Sequence, residues 1–229
     1  MAEAYSDTAD ATVLPVTVAG EHLELRPGRA AYWPRRQMLL LADPHFGKAG
    51  VFRRQGIPVP RGTTGGDLQR LSWLLERTGA RQLMVLGDFF HAAPSAAEPW
   101  LREWSAWREL HGGVEVHVVA GNHDRHAAPR AADLGIQWHH DARVLAPFVL
   151  AHAPEPDPRG YVLAGHLHPV FTLRGGGDRL RFPVFWFGEK VAVFPAFGAF
   201  TGGYGVAPAP GDRVFAAGET AVVDCTAQR

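Results

Sequence analysis

The sequence predicts an α/β fold (α+β mixed) in which two packed sheets are flanked by helices. Apolar runs at residues 37–42, 83–86 and 114–119 alternate with helical patterns, as in parallel strands joined by right-handed crossovers. After residue 131, short apolar segments alternate with Pro and Gly turns, which predicts a second series of antiparallel strands. A chain of 229 residues with 46% hydrophobic side chains is long enough to bury one large core.

The first half of the chain contains the helical patterns. Leucines at helical spacing predict a helix over residues 67–77 that ends before Gly79. Trp100, Trp104 and Trp107 follow the i, i+4, i+7 spacing of a second helix, and we interpret this stripe as core packing. The Ala- and Asp-rich residues 1–12 are expected to be frayed. The strands predicted in this half are residues 13–18, 22–25, 37–42, 83–86 and 114–119.

The second half of the chain reads as strands and turns. Three consecutive glycines at residues 175–177 predict the tip of a hairpin. Neither an internal repeat nor a low-complexity linker indicates a second domain, so we expect a single domain over residues 1–229. The strands predicted here are residues 148–150, 161–164, 170–174, 180–187, 190–194, 213–216 and 220–224.

Composition excludes several classes of protein. The 23 basic and 23 acidic side chains balance, so binding to a polyanion would require a local basic patch. The single cysteine, Cys225, cannot form an internal disulfide and is expected to be a buried hydrophobe. The N-terminus lacks the features of a signal peptide, and no apolar stretch approaches the roughly 20 residues that span a membrane. We therefore expect a cytoplasmic protein without a membrane partner.

Five short polar segments follow apolar runs, and each offers oxygen or imidazole ligands. One such segment would indicate only a turn, but five in this order are difficult to explain structurally. Carboxylate, amide and imidazole groups without thiolate suit Mn²⁺, Fe or Zn²⁺. The first three segments are expected to meet at the carboxyl ends of parallel strands. The segments are Asp43-Pro44-His45, Gly87-Asp88-Phe89-Phe90-His91, Gly121-Asn122-His123-Asp124, Ala151-His152 and Gly165-His166-Leu167-His168.

The order of these segments resembles that of the calcineurin-like metallophosphoesterases. The resemblance implies a four-layer αββα sandwich, two divalent metal ions bridged by Asp88, and in-line attack on a phosphodiester by a metal-bridging hydroxide. It also implies that one ion is held by Asp43, His45, Asp88 and His168. The implied ligands of the other ion are Asp88, Asn122, His152 and His166.

The same resemblance implies roles for three further residues. His123 would contact the phosphoryl group or protonate the leaving oxygen, and Asp124 would orient the imidazole of His123 and favour its protonated form. Structural support of the site is the alternative for both residues. The Gly-Asp-x-x-His spacing also occurs in double-strand-break-repair nucleases of this superfamily, so His91 would position a phosphate or a nucleic-acid strand. Its alternative is a structural hydrogen bond.

A narrower resemblance covers nearly the whole chain. Residues 43–48 (DPHFGK), 51–60 (VFRRQGIPVP) and 195–203 (PAFGAFTGG) are similar to the bacterial ligase-associated DNA damage response endonucleases, the PdeM family. This similarity implies a DNA endonuclease or phosphodiesterase that favours Mn²⁺, acts in DNA repair and is linked to a DNA ligase and a helicase.

A basic cluster lies close in sequence to the first polar segment. On a loop at the rim of the site it would contact substrate phosphates, which supply affinity without sequence choice. The alternative is that these side chains are simply solvated. The cluster consists of Lys48, Arg53, Arg54 and Arg61.

Two other functions compete with a DNA endonuclease. A small-molecule phosphoesterase, such as a nucleotide or cyclic-nucleotide hydrolase, would use the same metals, and the neutral net charge is compatible with it. A noncatalytic scaffold would keep the fold without efficient catalysis. The intact set of candidate ligands and His123 argue against the scaffold.

Overall fold

A computed structural model describes residues 11–59, 62–94, 98–125, 134–175 and 178–227. Its first sheet has seven strands whose spatial order follows the sequence. The first four strands are antiparallel, and the fourth to the seventh are parallel. The strands are β1 (Leu14–Val18), β2 (Glu21–Arg26), β3 (Ala30–Trp33), β4 (Met38–Leu41), β5 (Gln82–Val85), β6 (Glu115–Val119) and β7 (Ile136–His139).

The second sheet is mixed. Its hydrogen-bonded strands lie in the order β14-β11-β12-β13-β10-β9-β8, and β15 pairs with both β12 and β16. The predicted antiparallel series is wrong for β9, β10 and β13, which run parallel. Residues 151–160 cross from one end of the sheet to the other instead of turning back, as parallel pairing requires. The strands are β8 (Arg143–Leu145), β9 (Phe148–Leu150), β10 (Tyr161–Ala164), β11 (Pro169–Gly175), β12 (Asp178–Phe187), β13 (Val191–Val193), β14 (Tyr204–Gly205), β15 (Arg213–Ala217) and β16 (Val222–Asp224).

The described α-helices are α1 (Lys48–Arg54), α2 (Thr63–Thr78) and α3 (Pro99–Leu110). The leucines of α2 and the tryptophan stripe of α3 pack with the outward-facing residues of the first sheet, as predicted. Helix α1 replaces a predicted loop. In the part of the chain that the structure describes, no α-helix follows α3, so the implied outer helical layer on the second sheet has no counterpart there. The predicted α/β class with two packed sheets is confirmed, and both sheets are mixed.

One hydrophobic core lies between the two sheets. Alternate side chains such as Leu40 and Met84 of the first sheet face Phe148, Leu163 and Phe185 of the second. Cys225 is 1% exposed in a small cluster of the second sheet that excludes these core residues, as expected for a structural thiol.

Several expectations lie partly outside the described residues. Strands β11 and β12 form the predicted hairpin, with Gly175 opposite Asp178, but residues 176 and 177 at its tip are not described. Of residues 1–12, which were expected to be frayed, residues 1–10 are not described. The expectation is wrong for Thr12, whose N–H donates to the Thr220 carbonyl and whose carbonyl accepts the N–H of Val222. Within the described ranges, no helix is long and apolar enough to cross a membrane.

Candidate metal centre

The five polar segments converge because each follows the carboxyl end of a parallel strand. Strands β4, β5 and β6 are parallel neighbours in the first sheet, and β9 and β10 are parallel neighbours in the second. The residues that follow β4, β5 and β6 are Asp43, His45, Asp88, Asn122 and His123. Those that follow β9 and β10 are His152, His166 and His168.

Asp43, His45 and His168 form a first group of candidate ligands, whose ligand atoms lie within 4.8 Å of one another. His45 Nε2 lies 3.3 Å from His168 Nε2, and His168 Nε2 lies 3.7 Å from Asp43 Oδ2. Two atoms that are each about 2.1 Å from one ion lie about 3.0–3.4 Å apart at octahedral or tetrahedral angles. The two imidazoles therefore have the spacing of ligands that share a metal ion.

Asp88, His152 and His166 form a second group within the same 4.8 Å limit. His152 Nε2 lies 3.0 Å from His166 Nδ1 and 2.9 Å from Asn122 Oδ1. Asp88 Oδ2 lies 3.6 Å from His152 Nε2 and 3.9 Å from His45 Nε2, which belongs to the first group. The Asp88 carboxylate thus lies between the two groups, and all seven predicted ligands are brought together.

The buried groups fit a bound cation. The Asp43 carboxylate is fully buried, and its Oδ1 accepts no hydrogen bond from the described residues, an arrangement that is costly without a partner. Burial raises the pKa of the Asp43 carboxyl. Burial, followed by the neighbouring His168 and Lys48, lowers the pKa of His45 to about 2. The imidazole of His45 is therefore neutral near pH 7, which is the form that binds metals.

The backbone of the candidate ligands is strained. Five of them have a φ angle in the left-handed region, which costs a residue with a Cβ about 1 kcal/mol or more. Strain of this kind persists only where the surrounding fold enforces it, and it clusters at functional sites. The five are Asp43 (51°), His45 (48°), Asp88 (48°), His166 (72°) and His168 (49°).

Two glycines let the loops approach the carboxylates. A Cβ at Gly121 would lie 2.2 Å from Asp88 Oδ1, and a Cβ at Gly165 would lie 2.5 Å from Asp43 Oδ2. No side chain fits at these distances, because Cβ atoms do not approach other heavy atoms so closely. Glycine is therefore required before Asn122 and before His166, because a side chain there would clash with a buried carboxylate.

His123 lies beside Asp88, and its imidazole has a defined orientation. Its Nδ1–H donates to the carbonyl oxygen of His91 at 2.8 Å, because a carbonyl can only accept. The other nitrogen, Nε2, lies 4.0 Å from Asp88 Oδ2, and the side chain is 37% exposed. A proton on Nε2 is thus accessible from solvent and close to the candidate metal centre.

Asp124 does not have the predicted position. Its carboxylate accepts hydrogen bonds from the backbone N–H groups of Phe89 (3.1 Å), Phe90 (2.9 Å) and Gly121 (3.0 Å). The orienting contact to His123 comes instead from the His91 carbonyl. Phe89 and Phe90 lie in the loop after β5 and Gly121 lies in the loop after β6, so the buried carboxylate of Asp124 joins the two loops. Asp124 therefore supports the loops of the site, which was the alternative role, and does not orient the imidazole of His123.

His91 lies in the site, as its spacing from Asp88 predicted. Its ring stacks on His123, with the centroids 5.3 Å apart, and lies edge-on to Phe52 at 5.7 Å. Burial, followed by Lys48 and His123, lowers the pKa of His91 to about 4, so its imidazole is neutral near pH 7. His91 belongs to none of the candidate ligand groups found among the described residues.

The basic cluster is divided by helix α1, which was predicted as a loop. Lys48 is half-buried and lowers the pKa of His45 and His91, so its ammonium group lies near the candidate ligands. Arg54 forms an ion pair of 2.7 Å with Glu98 at the start of α3. Burial raises the pKa of the Glu103 carboxyl in α3, and the charge of Arg53 opposes this rise, so Arg53 lies near α3. Five or six residues at about 100° each place the arginines on another face of the helix than Lys48. Arg61 lies outside the described residues.

Residues 195–199 cross from the second sheet to the first candidate ligand. The N–H of Phe197 donates to the carbonyl of Ala42 at 2.7 Å, and the N–H of Gly198 donates to the carbonyl of Asp43 at 3.3 Å. This segment therefore supports the strained backbone of Asp43. The sequence indicated the segment only through a family resemblance.

Buried charges hold residues 195–199 in place, and the sequence pattern did not single them out. Asp67 pairs with Arg70 at 2.7 Å and accepts the N–H of Ala199 at 3.2 Å. Arg70 donates to the Phe197 carbonyl, and Arg29 donates to two further carbonyls of the segment at 3.3 Å. The available signal was an Asp and an Arg at i, i+3 among the leucines of α2, where a charge requires a partner.

Fold and site together define an α/β protein whose two packed sheets share a candidate metal centre at their carboxyl edges. The profile of the calcineurin-like phosphoesterase family matches residues 37–203, which contain every candidate ligand. The chain belongs to this family.

Three solved structures are similar to the chain. The Pseudomonas putida nuclease MPE is 42% identical, with a TM-score of 0.82 over 93% of this chain and 100% of that chain. The Aquifex aeolicus protein of unknown function AQ665 is 20% identical, with a TM-score of 0.42 over 57% of this chain and 78% of that chain. The Escherichia coli phosphoesterase Yfce is 18% identical, with a TM-score of 0.40 over 78% of this chain and 86% of that chain. No curated protein sequence matches the chain.

Proposed function

We propose that this protein is a binuclear metal-dependent phosphodiesterase that cleaves DNA as an endonuclease. One observation carries the proposal: Asp88 Oδ2 lies between two groups of candidate ligands, 3.9 Å from His45 Nε2 and 3.6 Å from His152 Nε2. The 42% identity to the Pseudomonas putida nuclease supports nucleic acid as the substrate.

Two divalent ions, when bound, would neutralise the phosphoryl oxygens and generate a nucleophile near neutral pH. Asn122 would offer a neutral amide oxygen to the second ion, which leaves more positive charge for an anionic substrate. Oxygen and imidazole ligands without thiolate suit Mn²⁺, Fe or Zn²⁺, and the resemblance to the PdeM family favours Mn²⁺ among them. One ion would be held by Asp43, His45, Asp88 and His168. The other would be held by Asp88, Asn122, His152 and His166.

The remaining residues of the site would handle the proton and the substrate. The His91 carbonyl fixes the Nδ1–H of His123, so Nε2 is the atom that would donate a proton to the leaving oxygen. The neutral ring of His91 supports the imidazole of His123 by stacking. The half-buried ammonium group of Lys48 would bind a phosphate oxygen of the substrate.

The biological setting is part of the same proposal. A role in DNA repair, a functional link to a DNA ligase and a helicase, and a cytoplasmic location are supported by the similarity of residues 43–48, 51–60 and 195–203 to the PdeM family. In this proposal residues 1–229 form a single metallophosphoesterase domain.

The test is a substrate panel with metal-free protein to which Mn²⁺ is returned. The panel contains circular single-stranded DNA, duplex DNA, cyclic nucleotides and a chromogenic phosphodiester. We expect metal-dependent cutting of the circle, which has no ends, and loss of cutting in Asp88→Asn. Asp141→Asn, at an exposed position, is the matched control. Hydrolysis of cyclic nucleotides without cleavage of DNA would refute the nuclease and favour the small-molecule phosphoesterase.

A further inference from the structure

An uncharged segment with two exposed aromatic rings passes the candidate metal centre. Residues 191–211 contain no Asp, Glu, Lys, Arg or His. Within them, Phe194 and Phe197 are fully buried, whereas Phe200 is 38% exposed and Tyr204 is 63% exposed. Exposed aromatic rings beside a site for a nucleic acid offer faces on which bases stack.

Both exposed rings belong to a stretch that is hydrogen-bonded to candidate ligands. The N–H of Gly198, two residues before Phe200, donates to the carbonyl of Asp43 at 3.3 Å. The N–H of Tyr204 donates to the carbonyl of His168 at 3.0 Å. The stretch therefore starts at the first candidate ligand along the chain and reaches the last.

Aromatic contacts connect Phe200 to the interior of the site. Its ring lies edge-on to Phe52, with the centroids 5.8 Å apart. Phe52 lies edge-on to His91 at 5.7 Å, and His91 stacks on His123. A series of rings thus runs from the exposed Phe200 to the imidazole beside Asp88.

The fold holds this stretch firmly and places a cation next to it. Asp67 accepts the N–H of Ala199, the residue before Phe200. Arg181 of β12 donates to the carbonyl of Gly203, the residue before Tyr204. Rings on an anchored backbone lose little conformational entropy when a ligand binds, and the guanidinium group favours a polyanionic ligand.

We propose that Phe200 and Tyr204 stack on the nucleobases that flank the phosphate at the candidate metal centre. This inference rests on the proposed function and adds the residues that would position the strand. Stacking suits an uncharged stretch, because every base has a π face and no base-specific hydrogen bond is needed. The two rings would position bases while Lys48 contacts the backbone.

The test compares two substrates in the combined variant Phe200→Ala, Tyr204→Ala. One substrate is a single-stranded oligonucleotide, and the other is bis(p-nitrophenyl) phosphate, which has no base. We expect the ratio of kcat/KM for the oligonucleotide to kcat/KM for the small diester to fall about 30-fold or more, because each lost stack lowers it about 5-fold or more. Leu180→Ala removes a side chain that is 58% exposed on β12 and serves as the control, with an unchanged ratio. The Mn²⁺ content of each variant shows whether the metal centre is intact.

A second substrate separates stacking from indirect effects. The wild type should cleave an oligonucleotide with abasic residues on both sides of the cut more slowly than the intact oligonucleotide. The wild type and the double variant should cleave the abasic oligonucleotide at the same rate. An unchanged substrate ratio, a parallel loss on both substrates, or full wild-type activity on abasic DNA would overturn the stacking role. Failure of the wild type to cut DNA at all would refute the proposed function and, with it, this inference.

Discussion

Replacing Gly121 by Ala should displace Asp88, the carboxylate that lies between the two groups of candidate ligands. The added Cβ would lie 2.2 Å from Asp88 Oδ1 and 2.4 Å from the Asp88 nitrogen. Carbon atoms in contact lie about 3.5–4.0 Å apart, so the loops must separate by about 1 Å. A misplacement of about 1 Å at a reacting centre lowers the rate about 10²-fold.

We therefore expect Gly121→Ala to lower kcat/KM for a chromogenic phosphodiester by about 10²-fold at saturating Mn²⁺. A chelator first removes the metals, and calorimetric titration then measures the metal affinity. This affinity should fall about 10- to 100-fold, which is the usual effect of removing a group that supports metal ligands. Gly66→Ala is the matched control, because Gly66 lies in α2 and, apart from its chain neighbours and the backbone of its own helix, nothing lies within 4 Å of the added Cβ. Alanine in a helix adds about 1 kcal/mol of stability and should leave activity unchanged.

The thermal unfolding of chelated protein shows whether the variants are folded. Wild-type metal affinity together with wild-type kcat/KM in folded Gly121→Ala would refute the argument. It would mean that the loops after β5 and β6 separate freely, and that the position of Asp88 does not depend on the absence of a side chain at residue 121.

Three further predictions follow from the site and the core. The His123→Asn variant should retain its metals, and its hydrolysis of diesters with poor leaving groups should slow most, by about 10²–10⁴-fold, because Nε2 would protonate the departing oxygen. Equal losses of activity on alkyl and nitrophenyl diesters would contradict this role. Lys48→Met should reduce the slope of DNA affinity against salt concentration by the equivalent of about one phosphate contact. Arg54→Met breaks the ion pair with Glu98 and should leave the slope unchanged. If filter binding shows the reverse, Arg54 and not Lys48 contacts the DNA. Burial lowers the pKa of His117 in the folded protein. Below about pH 6.5 this histidine is therefore protonated in the unfolded chain but still neutral in the folded protein, so the free energy of unfolding falls as the pH drops. In denaturant unfolding of chelated protein, His117→Gln should lose less stability between pH 7 and 5 than the wild type, and an equal loss would show that His117 does not contribute.

The sequence alone determined the features that depend on local periodicity. A run of apolar residues that ends in a Gly-Asp or Gly-Asn segment predicts a buried strand and a polar loop at its end. That rule located Asp88 and Asn122, and the polar segment after the apolar run 37–42 located Asp43 in the same way. The tryptophan stripe of α3 was equally readable, because side chains four residues apart share one face of a helix. The weak patterns of β3, β7, β8 and β14 were missed, since their short segments show no clear period.

Contacts between distant loops were decided only by the tertiary structure. The partner of His123 is a backbone carbonyl 32 residues away, and the Asp124 carboxylate collects amides from the loop after β5. A carbonyl has no residue identity, so no sequence motif can reveal it. Whether Lys48 and Arg54 face the same ligand depended on whether residues 48–54 form a helix or a loop. The left-handed backbone of Asp43 and Asp88 likewise requires the packing of both sheets, because local preference alone opposes it.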